Sequence, residues 1–239
     1  MSRFVLIHGA WHGAWCWERV LPLLRERGHS VIAPDLPAHG ADATRSWRVT
    51  LGSYARRVCE AARASGGPAI AVGHSMGGVV ISEAAAREPS LFAGLVYLCA
   101  FVPEPRESLM GLASRDRESG VLTAIKRRFV STTILPERAP AVFYNTCPPD
   151  VPALAISRLC AQPNLPTFQR VSAPRGPLPP RAYIECSEDR AISLAHQRWM
   201  RERAGIPHVA TLATDHSPFF SAPEALAHQL SELAAKLES

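Results

Sequence analysis

Between an apolar run, Ala69-Ile70-Ala71-Val72, and a small-residue stretch, Gly78-Val79-Val80-Ile81-Ser82-Glu83-Ala84-Ala85-Ala86, lies Gly73-His74-Ser75-Met76-Gly77. The pattern reads strand, sharp turn, helix, and no other stretch constrains the fold as much. So tight a turn holds its central residue in a strained backbone conformation, and flanking glycines remove the Cβ atoms that would collide where strand folds back onto helix. Ser75 is then exposed at a helix N-terminus, where the Met76 N–H is unpaired and the helix dipole is positive. A glycine-rich turn without chemistry is the bland alternative. The strand before and the helix after favour a nucleophile with an oxyanion donor beside it.

Around this turn, short apolar runs alternate with helical patterns. Strands are predicted at 3–8, 30–34, 68–72, 95–101, 181–186 and 208–212, and helices at about 15–27, 51–64, after Ser75 as far as Pro89, at 194–204, and from Ser221-Ala222-Pro223-Glu224 onward, a sequence with capping-box spacing. Continuous apolar strands between helices imply a mostly parallel sheet of about six strands covered on both faces, an α/β fold. Residues 104–180 break the alternation. They are proline-rich, show no clear strand, and separate two sheet strands, so they read as a lid inserted into a core made of 1–103 and 181–239. Such a lid would cover the strand C-termini, where open α/β sheets place their sites. Its apolar residues Leu109, Leu122, Ile125, Phe129 and Phe143 are candidate pocket walls.

The 239 residues, 47% of them hydrophobic, suit one domain with a sizeable core. Met1-Ser2-Arg3 runs straight into the strand Phe4-Val5-Leu6-Ile7, too short for a signal sequence, and no apolar run approaches a membrane span. The expectation is a cytoplasmic protein without a membrane partner. Cys16, Cys59, Cys99, Cys147, Cys160 and Cys186 show no ligand spacing and read as reduced core residues. The formal charge of +5 comes from arginines spread over the predicted helices, with one tight cluster at Lys126-Arg127-Arg128, so a solvated surface is expected rather than a nucleic-acid interface.

A serine hydroxyl is a weak nucleophile until a base takes its proton, and that base needs a carboxylate to orient it. His196 falls within a helix, whereas His216 follows the last strand, in Ala213-Thr214-Asp215-His216-Ser217-Pro218, placed to return over the sheet edge. Asp189, in Ser187-Glu188-Asp189-Arg190, follows strand 181–186 and completes the chain order Ser, Asp, His. Glu188, Asp215 and the more distant Glu104 compete for the acid role. Asp215 is disfavoured because neighbours on an extended segment point their side chains apart. A second oxyanion donor is sought in His8-Gly9-Ala10-Trp11-His12-Gly13, where Gly9 would let the backbone approach the serine and aim the Ala10 N–H at the same oxygen as that of Met76. His8 and His12 have the i, i+4 spacing of metal ligands only if helical, and the glycines indicate a loop with hydrogen-bonding histidines. No metal or other cofactor is expected.

The segments 4–15, Ala33-Pro34-Asp35-Leu36-Pro37-Ala38-His39-Gly40, the 73–77 turn, Tyr183-Ile184-Glu185-Cys186-Ser187-Glu188-Asp189 and Asp215-His216-Ser217-Pro218-Phe219 together resemble one family. The chain looks like the α/β-hydrolases grouped with plant methyl esterases, the salicylate-binding esterase and hydroxynitrile lyases, particularly their bacterial esterase relatives. The resemblance implies a catalytic triad of Ser75, Asp189 and His216, an oxyanion hole of the Ala10 and Met76 N–H groups, and a homodimer as one assembly. The family's cyanohydrin lyases carry threonine where this chain has Gly9 and lysine where it has Ser217, and the family often has glycine where Ala38 stands. Residues 171–180 depart from the relatives. The expected activity is therefore that of a serine carboxylesterase cleaving a small or medium apolar ester through an acyl-enzyme. A hydroxynitrile lyase-like enzyme and a non-catalytic small-molecule receptor on the same fold are the alternatives.

Overall fold

The computed structural model describes residues 1–238. Along the chain come β1 (Arg3–Ile7), α1 (Val20–Glu26), β2 (Ser30–Ile32), α2 (Leu51–Ala64), β3 (Ala69–His74), α3 (Gly77–Arg87) and β4 (Phe92–Leu98). There follow α4 (Leu109–Ala113), α5 (Val121–Ala124), β5 (Ile125–Arg127), β6 (Ser131–Ile134), α6 (Ala139–Phe143), α7 (Val151–Arg158), β7 (Gln162–Pro163) and α8 (Leu165–Phe168). The chain returns through β8 (Arg181–Cys186), α9 (Leu194–Arg203), β9 (His208–Leu212), α10 (Pro218–Ser221) and α11 (Pro223–Leu237). Six strands form one sheet in the order β2-β1-β3-β4-β8-β9, every pair parallel. Because both faces are covered, the central strands are buried along their length, which explains their uninterrupted apolar sequence. Helices α1 and α11 pack together on the sheet, and α2 packs against α3. No described helix is long and apolar enough to cross a membrane.

The strand order determines where a site can form. From β1 the chain steps to β2 on one side, then to β3 on the other, so the loops leaving β1 and β3 part at their C-terminal ends and open a crevice. One loop carries His8–Gly13 and the other carries Ser75.

Several boundaries differ from those read in the sequence. The helix predicted over 15–27 is a 3-10 turn at Ala14–Trp17 followed by α1, because the Pro22 ring would collide with the carbonyl four residues back and confines the α-helix to a start close to it. The fourth strand ends at Leu98 rather than at 101. Cys99 turns out of the sheet at φ 34°, yet Ala100, Phe101 and Val102 stay buried, so burial outlasts the strand. Ser221 does not cap the last helix. Its hydroxyl donates to Asp215 and to the Ser217 carbonyl, leaving Ala222 at the N-cap. Helix α2 starts as expected, with Thr50 and Ser53 forming a reciprocal capping box.

The segment between β4 and β8 does contain strands, contrary to the expectation: β5, β6 and β7 form a small antiparallel sheet. Two of the pocket-wall candidates there, Leu122 and Phe129, face solvent and line nothing, Phe129 being fully exposed. Leu109 and Phe143 are buried and Ile125 is half-buried.

Candidate active site

Ser75 sits at φ 54°, in the left-handed region where a non-glycine residue is strained. Its backbone is held on both sides: the N–H donates to Leu98, and the carbonyl accepts from Gly78 and Phe101. The neighbouring glycines are sterically required. A Cβ on Gly73 would come within 2.5 Å of the Gly77 carbonyl oxygen, and one on Gly77 within 2.8 Å of the Ile7 carbonyl oxygen. Because those contacts are with backbone, Gly73→Ala is expected to destabilise the protein by about 3 kcal/mol. Urea unfolding measures it, and a loss below about 1 kcal/mol would mean that the turn is less tightly packed than described here.

His216 follows β9, and its Nδ1 lies 2.7 Å from Asp189 Oδ2. Asp189 leaves β8 in a turn that spends its other oxygen on the N–H groups of Ala191, at 2.7 Å, and Ile192, at 2.9 Å. Gln197, reaching back from α9, donates to Oδ2 at 3.3 Å. With its acceptors so committed, the carboxylate cannot rotate, and its free lone pair faces the ring of His216. His74, the residue before the serine, adds a second constraint: its Nε2–H donates to the His216 carbonyl at 2.7 Å. Burial, reinforced by the nearby His216 and His12, holds the His74 pKa well below the ordinary histidine value. A neutral ring with one proton, donated to that carbonyl, fits both facts. The sequence reading passed over His74, although its place beside the serine on a buried strand end was the available signal.

Among the described residues, no hydrogen bond joins the Ser75 hydroxyl to the His216 ring. The two residues are nonetheless brought together, because the residue preceding Ser75 is the one bonded to the His216 backbone.

The loop after β1 meets Ser75 from the other side of the crevice. A Cβ on Gly9 would lie 2.8 Å from His74 Nδ1 and 3.0 Å from Ser75 Cβ, so the backbone at Gly9 packs closely against His74 and Ser75. His8 and His12 brace this loop. The Leu36 N–H donates to His8 Nε2, leaving the His8 Nδ1–H for the Gly9 carbonyl at 2.8 Å. His12 donates from Nδ1 to the Ala10 carbonyl at 2.9 Å, and its Nε2 accepts from the Tyr144 hydroxyl at 2.9 Å. Burial lowers the His12 pKa to about 4, consistent with a neutral ring. Trp11 is strained at φ 61° and is held by its indole N–H on Thr132 of β6. Met76 is the N-cap of α3, with its N–H at the positive end of the helix. In the loop after β2, Ala38 adopts φ 65°, which explains why a glycine suits that position.

The rival carboxylates are engaged elsewhere. Asp215 is fully buried but accepts from Thr146 N–H, Ser217 N–H and the Ser221 hydroxyl. Glu104 is paired with Arg203 on the surface, and Glu188 is exposed and meets the inserted segment only through its backbone carbonyl, which accepts from Asn145. Three potential metal ligands, His74, Cys99 and His216, approach within 4.8 Å of one another. The His74 and Cys99 side chains already donate to the His216 carbonyl, and His216 Nδ1 is taken by Asp189. They form a hydrogen-bond network around the His216 backbone.

Comparison with known proteins shows the family. A family model described as the alpha/beta hydrolase family matches residues 4–229. The chain is 30% identical to methylesterase 9 of Arabidopsis thaliana, covering 99% of both, and 31% identical to methyl jasmonate esterase 1 of Vitis vinifera, covering 97% of this chain and 96% of the relative. Among solved structures, a pyrethroid hydrolase from Sphingobium faniae superposes with a TM-score of 0.85 at 29% identity, covering 98% of this chain and 97% of that one.

Proposed function

Because the chain belongs to the alpha/beta hydrolase family, we propose that it is a serine carboxylesterase that cleaves a small or medium apolar ester through an acyl-enzyme. The Asp189–His216 hydrogen bond, on loops that close over Ser75, carries this reading. Asp189 holds the proton of His216 on Nδ1, which leaves Nε2 as the base. Ser75 Oγ attacks the ester carbonyl carbon while its proton passes to Nε2. The carbonyl oxygen takes up the electron pair and is met by the Ala10 and Met76 N–H groups, which are fixed before the reaction begins. The tetrahedral species collapses, the C–O bond to the alcohol breaks, and His216 protonates the departing oxygen. Water then attacks the acyl carbonyl with His216 again as base, releasing the acid and restoring the serine. The names of the relatives, methylesterase, methyl jasmonate esterase and pyrethroid hydrolase, support an ester as the substrate.

Cyanohydrin cleavage is disfavoured for two reasons. Ser217 offers no fixed cation to a departing cyanide, and a side chain at position 9 would strike the His74 ring. Steady-state assays on a panel of methyl and 4-nitrophenyl esters, with mandelonitrile alongside, test the reading. Ester turnover is expected, with cyanide release lower by roughly a hundredfold to a thousandfold, since a missing charged stabiliser costs several kcal/mol in the barrier. Cyanide release equal to ester turnover would make the protein a lyase. Tight ligand binding without any turnover would make it a receptor.

A further inference from the structure

The loops bearing Ala10, Asp189 and His216 leave β1, β8 and β9, and β1 is separated from β8 by two intervening strands. At about 4.8 Å per strand spacing, the first and second of these loops start some 14 Å apart, so the sheet alone does not hold them in mutual register. Four consecutive residues of the inserted segment touch all three. The Phe143 ring packs 5.8 Å from that of His216 and 5.9 Å from that of Trp11. Tyr144 donates to His12, which is bonded to the Ala10 carbonyl. Asn145 donates to the Glu188 carbonyl, next to Asp189, at 3.1 Å. Thr146 exchanges two hydrogen bonds with Asp215, next to His216: its N–H donates to Oδ2 at 2.9 Å and its hydroxyl accepts from the Asp215 N–H at 3.0 Å. Phe143 ends α6 and the chain then turns, with the Cys147 N–H donating to the Tyr144 carbonyl, so successive side chains reach towards different loops.

We propose that Phe143–Thr146 is a positioning strap that holds the oxyanion loop, the acid loop and the histidine loop in register, with Thr146 as the residue that positions His216. The inference rests on the esterase reading above and adds to it that the inserted segment does more than cover substrate. Thr146 acts through Asp215, whose buried carboxylate is satisfied by the Thr146, Ser217 and Ser221 donors and thereby fixes the backbone on either side of the histidine.

Thr146→Val keeps the shape but removes the acceptor of the Asp215 N–H, while Thr146→Ser keeps the acceptor. With 4-nitrophenyl butyrate, Thr146→Val is expected to lower kcat by about tenfold to a hundredfold with KM nearly unchanged, and to slow fluorophosphonate inactivation by the same factor. Thr146→Ser restores both. A Thr146→Val enzyme with wild-type kcat, or a loss that Thr146→Ser does not rescue, overturns the strap. Should Thr146→Val fail to fold, Asn145→Ala carries the same test: a lowered kcat at constant KM supports the strap, and an unchanged kcat overturns it. Absence of a Ser75 adduct in the wild-type protein would instead defeat the esterase reading itself, which keeps the two failures distinct.

Discussion

Asp189→Asn is expected to lower kcat by about 10⁴, equivalent to about 5 kcal/mol of transition-state stabilisation, with little change in substrate binding. The hydrogen bonds around the carboxylate explain the size of the loss. In the variant, the amide oxygen stays with its strongest donors, the N–H groups of Ala191 and Ile192, so the NH₂ turns towards His216 Nδ1. Two donors cannot share that contact. The imidazole therefore moves its proton to Nε2, where it can no longer accept one from Ser75. Glu188→Gln leaves this arrangement intact and is expected to cost little. Pre-steady-state acylation with a 4-nitrophenyl ester separates the chemical step from binding, and near-normal acylation by Asp189→Asn would move the acid elsewhere.

A second large effect is expected on stability at mildly acidic pH. His8, His12 and His74 are fully buried, and burial holds their pKa values below the ordinary 6.5, that of His12 at about 4. Above pH 6.5 these rings are neutral in both the folded and unfolded chain, and stability does not depend on them. As pH falls below 6.5 the unfolded chain takes up protons that the folded one refuses, so stability falls with pH until each folded-state pKa is reached. Each ring contributes up to about 1.4 kcal/mol per pH unit within that window. Urea unfolding at pH 7.5 and pH 5 is expected to show a loss of several kcal/mol, with proton uptake on unfolding. Equal stability at the two pH values would mean that the rings are solvated in the folded protein.

The parts of the fold that were legible in the sequence are those fixed by local pattern. Strands β8 and β9 and helix α2 lie where the apolar runs and the helical pattern over 51–64 placed them, and the turn around Ser75 follows from glycines whose missing Cβ atoms the backbone contacts account for. Asp189 and His216 could be paired by chain order because each directly follows a strand. The inserted segment was less legible. Its strands are two to four residues long, β5 and β6 are largely half-buried or exposed, as in Ile125-Lys126-Arg127, and none carries an apolar run to announce it. His74, Tyr144 and Thr146 act through partners more than sixty residues away in sequence, and no local spacing marks such contacts. Ser221 shows the reverse case, a correct capping pattern diverted by Asp215.

Ser75 as nucleophile is tested most directly by incubating the protein with a fluorophosphonate and mapping the adduct by mass spectrometry. Oγ of the serine bonds to phosphorus and fluoride leaves, so one adduct per chain is expected on the peptide containing Gly73–Gly77, with none in Ser75→Ala. Stoichiometric labelling that persists in Ser75→Ala, or that maps to another residue, would contradict the assignment.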